Sequence, residues 1–329
     1  MKKSGFVVLL GLLLLMLGAW VWGKTAVSSY QTVTITETET ISDTYLSDID
    51  PDGLVFAFGD HYRGQYSALG STFSTTPLAG VTVQLTVLNE EAVPHRFALS
   101  CLLDHVQIPC QPDAPTPEWL GIAANGQQAA TLQVGNLAPG VHDFDVLLVR
   151  EVSADPAEDS LEREMPLFLY HPTTLIVDGD NHVPIVTTIT GEPTHFGGNG
   201  FQFYATPGEQ LYIPDTTLIP LWLEAEGNVG EILDVYLHFA GAGLSDRDAI
   251  AVMAFLNDGQ VPLYQGSDPY LPLYVKQRMG RWQTILTQLR LPDEPGVYDF
   301  YILVRADAFA LQQNFMATET SSRIRVQVR

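Results

Sequence analysis

Apolar and polar residues alternate along much of this chain with a period of two. Val81, Val83, Leu85 and Val87 share one parity, as do Phe97, Leu99 and Cys101 after them. Farther along, Val235, Leu237 and Phe239, then Ile250, Val252 and Ala254, repeat the arrangement. Such alternation puts one face of each strand in a core and the other toward water. Gly, Pro, Asn and Asp clusters cut the runs short, and no segment sustains a helical period. The pattern predicts an all-β chain of antiparallel strands packed as sandwiches rather than a parallel α/β sheet.

The pattern also occurs twice. Pro139-Gly140-Val141-His142-Asp143-Phe144 returns as Pro295-Gly296-Val297-Tyr298-Asp299-Phe300, each followed by an apolar run ending in Arg150 or Arg305. Upstream, Leu102 to Pro109 aligns with Phe255 to Pro262, and both read as hairpins, turning about His105-Val106 and Asp258-Gly259. Downstream, Leu175-Ile176-Val177 aligns with Ile324-Arg325-Val326 as a closing strand. Tyr298, Phe300, Ile302 and Val304 are expected to face one core, and His142, Phe144, Val146 and Leu148 the other. The expected organisation is a hydrophobic leader at 1–23, a Thr/Ser-rich segment at 24–50, a first sandwich at 51–178, a linker at 179–189 and a second sandwich at 190–329. Either copy is long enough to bury its own core.

The Pro-Gly-Val-Tyr-Asp-Phe stretch and its apolar continuation resemble the late strand of bacterial immunoglobulin-like domains. The resemblance implies tandem immunoglobulin-like antiparallel β-sandwiches; with the hydrophobic leader read as one N-terminal transmembrane helix, the expected fold is two such sandwiches after that helix. It implies a scaffold, not an activity.

Location is read from the N-terminus. Lys2 and Lys3 precede a charge-free, Leu-rich stretch from Gly5 to Gly23, long enough to cross a bilayer as a helix of about 20 residues. With the basic flank inside, the rest of the chain is expected outside a bacterial cytoplasmic membrane. A cleaved signal peptide is the alternative, and the chain would then be secreted. No Cys follows the stretch, which excludes a lipoprotein anchor. The segment after it, with Thr32-Val33-Thr34-Ile35-Thr36-Glu37-Thr38-Glu39-Thr40, reads as either a stalk or an extra strand.

A net charge of −22 argues against nucleic acid as a partner, because an acidic surface repels phosphate backbones and anionic headgroups. The acidic run from Glu151 to Glu164 reads as a solvated loop. The chain has 2 cysteines. With a turn about His105-Val106, Cys101 falls opposite Cys110, within reach of a disulfide that suits an oxidising compartment.

Candidate chemistry is sparse. Asp48-Ile49-Asp50-Pro51-Asp52-Gly53 matches the first half of a calcium loop, with Asp48, Asp50 and Asp52 as oxygen ligands. The twelfth position is Gly59 rather than a bidentate Glu, so an acidic turn is the favoured reading and Ca2+ the lesser one; no other cofactor is expected. Asp178-Gly179-Asp180-Asn181-His182 is a second acidic turn. Val81 to Phe97, with Asn89, Pro94 and His95, resembles the strand before a cupredoxin's first copper ligand. The second His, the Cys thiolate and the Met that blue copper requires do not follow. No nucleophile elbow, zinc-protease motif or phosphate loop is present, and no enzyme activity is expected.

Recognition is expected where the copies differ. Tyr264, Tyr270 and Tyr274 lie in a Pro-containing stretch followed by Trp282, and the first copy has Trp119 after Pro112, Pro115 and Pro117. Aromatic, Pro-stiffened loops offer flat apolar area at little entropic cost. The leading expectation is a non-enzymatic, membrane-anchored extracytoplasmic protein that binds another envelope or surface protein or acts as a spacer. The alternative is an extracytoplasmic carbohydrate-binding module with a glycan as partner.

Overall fold

The computed structural model describes residues 53–58, 71–75, 81–89, 92–135, 137–151, 168–179, 182–196, 202–208, 222–240, 247–277, 281–306, 308–309, 318–320 and 323–329. The leader, the Thr-rich segment, the acidic loop beyond Glu151 and the Asp48, Asp50 and Asp52 turn lie outside the described residues. Among the described residues no helix is long and apolar enough to cross a membrane.

Every regular element described is a strand. The first copy holds β1 (Gly53–Phe58), β2 (Ser71–Thr75), β3 (Val81–Asn89), β4 (His95–Leu103), β5 (Val106–Ile108), β6 (Glu118–Ile122), β7 (Gly126–Val134), β8 (Gly140–Arg150) and β9 (Phe168–Val177). Next come β10 (Thr188–Ile189), β11 (Glu192–Phe196), β12 (Gln202–Pro207), β13 (Trp222–Gly227), β14 (Ile232–Ala240), β15 (Arg247–Leu256) and β16 (Gly259–Val261). The chain closes with β17 (Leu263–Gln265), β18 (Asp268–Tyr270), β19 (Leu273–Gln277), β20 (Arg281–Arg290), β21 (Gly296–Arg305), β22 (Thr318–Thr320) and β23 (Arg323–Val328).

In the first copy β1-β3-β7 make one sheet and β2-β9-β8-β4-β5 the other, with β6 on β4. In the second, β12-β14-β20-β17-β18 carry β11 on β20, and β10-β19-β15-β21-β23-β13 carry β16 on β15 and β22 on β21. The alternating apolar residues meet between the paired sheets. Leu85, Val87, Leu132 and Val134 pack against Phe97, Leu99, Cys101, Phe144, Val146, Leu148, Leu175 and Val177. The second core places Val235, Leu237, Phe239 and Ile285 with Ile250, Val252, Ala254, Phe300, Ile302, Val304, Ile324 and Val326. The all-β expectation is as read from the pattern, and so are the inward-facing sets where burial is described, with Val83 and Tyr298 only partly buried against the cores and His142 half-buried at the end of its row. The purely antiparallel expectation is not met, because β1 pairs β3, β2 pairs β9, β10 pairs β19 and β13 pairs β23 in parallel.

Three registers differ from the sequence reading. The hairpin turns lie one residue earlier, at Asp104-His105 and Asn257-Asp258, with φ of 50°, 68°, 48° and 64°. Polar side chains that tolerate the left-handed region take both turn positions. Cys101 consequently pairs with Ile108, and Cys110 lies past the end of β5. The Cys101–Cys110 disulfide still forms, at a Cα separation of 5.1 Å. The closing strands are offset by two: Leu175 pairs with His142 and Val326 with Tyr298, a shift that preserves which residues face inward. Finally, Val149 pairs with Ala98 and Arg305 with Ala251. Arg305 is therefore the counterpart of Val149, not of Arg150, and the two arginines occupy opposite faces of their sheets.

Candidate functional site: the contact between the two copies

β4, β8, β15 and β21 are buried on both faces. One parity fills the sandwich cores. The other forms a third apolar cluster, in which Ala98, Leu102, Leu147 and Val149 meet Ala251, Met253, Phe255, Tyr301 and Leu303. The signal is legible in composition: Phe97 to Leu102 and Ile250 to Phe255 are apolar or small at both parities, as strands covered on both sides are.

Gln107 and Gln260, equivalent residues two positions past their turns, clasp each other across this contact. The Gln107 backbone N–H donates to Gln260 Oε1 at 2.6 Å, and the Gln260 N–H to Gln107 Oε1 at 2.7 Å. Their amides donate to the carbonyls of Asp258 and His105, at 2.9 and 2.7 Å. Reciprocal contacts between equivalent residues describe a local pseudo-twofold relationship, as in a symmetric dimer.

Charge breaks that symmetry. Arg305 reaches from the second copy to Asp143 Oδ1 at 2.6 Å and also binds Asp145. The other Asp143 oxygen accepts the Phe309 N–H at 2.6 Å and lies 3.1 Å from His105 Nε2. The His105, Asp143 and Asp145 side chains are 0 % exposed. Burial by itself would raise the Asp143 pKa, but Arg305, His105 and the Phe309 amide outweigh it and hold the carboxyl below its ordinary range. Tyr274 closes the cluster, its hydroxyl 3.2 Å from His105 Nδ1, and burial beside the aspartates raises its pKa.

The turn residues support these groups. Asp104 Oδ1 accepts the Asp143 N–H at 3.0 Å, and Asn257 Oδ1 accepts the Asp299 N–H at 2.9 Å. Asp104 Oδ2 lies 2.8 Å from His142 Nδ1, while His142 Nε2 lies 2.9 Å from the Ala138 carbonyl. Both partners only accept, so the geometry suits an imidazolium. The Asp104 bond accordingly raises the His142 pKa, against the opposing effect of partial burial. Tyr298 replaces His142 in the second copy, and its hydroxyl donates to the Glu294 carbonyl at 3.0 Å.

At the pseudo-symmetric end, Asp258 stands where His105 does. Its carboxylate accepts the Tyr301 hydroxyl at 2.9 Å, and burial raises its pKa despite Arg323 and that bond. Arg323 is paired with Asp299 and lies over the Tyr301 ring, 5.0 Å from its centroid.

The aromatic candidates do not gather on one surface. Trp119 and Tyr274 occupy equivalent places, opposite Ala98 and Ala251. Tyr274 is partly buried against the contact, whereas Trp119 is 38 % exposed with the Arg96 guanidinium 4.7 Å over its ring. Tyr264 and Tyr270 belong to the β17-β18 hairpin, and Tyr270 packs against the second core. Trp282 is buried at the start of β20, 5.7 Å from Tyr204. Among the described residues no group of three or more His, Cys, Asp or Glu is placed to hold a metal ion. His105, Gln107, Asp143, Asp145, Gln260 and Arg305 were not singled out as site residues by the sequence, because their partners lie in the other copy.

No protein-family model matches the chain, and no curated protein does. Distant likenesses exist among solved structures. A CARDB domain from Pyrococcus furiosus, in complex with di-metal ions, is 11 % identical with a TM-score of 0.26, covering 45 % of this chain and 100 % of that one. A family 123 glycoside hydrolase from Clostridium perfringens is 11 % identical with a TM-score of 0.28, over 40 % of this chain and 27 % of that one. A blue copper oxidase from Nitrosomonas europaea is 12 % identical with a TM-score of 0.20, over 78 % and 76 %. At these TM-scores none of the three carries a fold assignment or an activity over to this chain.

Proposed function

We propose that this chain is a non-enzymatic, membrane-anchored extracytoplasmic protein. In this reading the two copies are separate immunoglobulin-like sandwiches docked into one rigid unit, which serves protein–protein interaction or spacing in the cell envelope. The observation that carries it is the use of the ionisable residues between the copies. His105, Asp143 and Asp145 are enclosed, and the two aspartates are paired with Arg305 of the other copy, an arrangement that fixes orientation rather than presenting reactive groups to a substrate. The Tyr298 hydroxyl, bound to a carbonyl a few residues upstream, supports the immunoglobulin-like assignment because such a corner recurs in that fold.

Co-purification from detergent-solubilised membranes tests the reading: stable protein partners are expected, and the bulk of the chain is expected to be cleaved by protease added outside intact cells. Protection of the bulk from that protease would overturn it. A glycan-binding reading draws on Trp119, a partly exposed ring held by Arg96. It requires retention on immobilised glycans that is lost in Trp119→Ala.

A further inference from the structure

The contact between the copies resembles a symmetric dimer interface in which several equivalent pairs are unlike, and the pair Val149 and Arg305 differs most in charge. We propose that this difference is a pairing code: Val149 and Arg305 make the first copy's face complementary to the second copy's and to neither copy's own. The inference rests on the two-sandwich reading above.

The argument follows from what each alternative pairing would bury. In the observed contact Arg305 meets Asp143 and Asp145, and the same strand position in the first copy contributes Val149 to the apolar cluster. If two first copies paired by the same pseudo-twofold contact, the reciprocal glutamine clasp would survive, because Gln107 would meet Gln107. Asp143 and Asp145 would then face Val149 at both ends and lose their cation. If two second copies paired, Arg305 would face Asp299 and Tyr301, where Asp299 is already bound by Arg323. In a first-copy pair the two aspartates at each end thus lose their guanidinium, and in a second-copy pair each Arg305 shares Asp299 with Arg323, whereas in the mixed pair Arg305 is matched to Asp143 and Asp145 and Arg323 to Asp299. Removing the partner of a buried charge is strongly destabilising, and discrimination built from such unpaired charges is a general device of specific interfaces. The glutamine clasp supplies geometry common to all three pairings; the arginine and valine supply the choice.

The test uses the full chain with a protease recognition sequence inserted between Gly179 and His182. The cleaved chain is unfolded in urea with its disulfide oxidised, refolded, and its complexes counted by native mass spectrometry. Random association would make half of all pairs mixed. The code requires mixed pairs to outnumber like pairs by about tenfold or more. Arg305→Val should move the count toward the random proportion. Val149→Arg should create first-copy pairs, by supplying a cation opposite Asp143 and Asp145. Folded halves that pair at random in the wild type would overturn the code and leave the two-sandwich reading standing. Halves that fail to regain β-sheet circular dichroism would overturn both. Should Val149→Arg not fold, the wild-type count and Arg305→Val decide the matter.

Discussion

Arg305 of the second copy donates to Asp143 of the first across 2.6 Å of interior from which water is excluded. The two residues are buried and far apart in the chain, so their bond ties the copies together rather than stabilising either. Breaking a buried pair by removing one partner costs more than replacing the whole group by apolar side chains. Arg305→Met should therefore destabilise the chain by about 3–5 kcal/mol, whereas Arg305→Met combined with Asp143→Leu and Asp145→Leu should recover much of that loss. Urea unfolding at neutral pH measures both. Equal destabilisation by the single and triple variants would count against the charge-burial argument.

The same pair responds to acid with a defined sign. The folded pKa of Asp143 lies below the carboxyl's ordinary value of 3.8, so the unfolded chain takes up the proton first. Its contribution is whole above that unfolded value and is lost as pH falls through the folded one. His238 acts earlier in the same direction. Burial lowers its pKa from 6.5 to about 4, between Thr206 Oγ1 at 3.2 Å and Thr284 Oγ1 at 3.1 Å. Stability should fall by up to about 3 kcal/mol as pH drops from 6.5 through 4, and His238→Gln should flatten that part of the profile. Denaturant midpoints at closely spaced pH values provide the readout.

His142 has the opposite sign. Its pKa is raised above 6.5 chiefly by Asp104, so its contribution is full below 6.5 and disappears as pH rises through the folded value. Imidazole resonances followed by NMR should titrate above 6.5 for His142, and Asp104→Asn should bring that titration down. An unchanged titration in Asp104→Asn would separate the two residues.

The glutamine clasp should be cooperative. Gln107→Ala and Gln260→Ala each remove contacts made to the other residue, so the double variant should lose less than the sum of the singles. A coupling of about 1–2 kcal/mol is expected from a double-mutant cycle. Additive losses would mean that the clasp contributes geometry without energy.

The disulfide closes a short loop, its cysteines separated by 9 in sequence number. Chain entropy for so small a loop amounts to roughly 2–3 kcal/mol. Cys101→Ala/Cys110→Ala should reduce stability by about that amount, plus a cavity cost, because both residues sit in the first core. The thermal midpoint, read by circular dichroism, is expected to fall while the second copy retains its core.

Most of the strands and both cores were legible in the sequence because a strand's two faces are set by local alternation. The duplication aligned Leu102 with Phe255 and Phe144 with Phe300, and the strands carrying them pair in equivalent registers, Leu102 with Asp145 and Leu103 with Phe144 in one copy, Phe255 with Tyr301 and Leu256 with Phe300 in the other. The turns were misplaced by one residue because Asp104, His105, Asn257 and Asp258 all accept a positive φ, so local propensity left two neighbouring solutions. By itself, then, the sequence determined an all-β duplicated chain, its inward rows and a cysteine pair in reach of each other. Which arginine faces the other copy was decided only by the tertiary structure. Arg150 and Arg305 end similar apolar runs, but the first run is one residue longer, and in a strand one residue moves a side chain to the opposite face. The contact those faces make joins residues far apart in the chain, so its partners are set by how whole sheets pack and not by any local pattern.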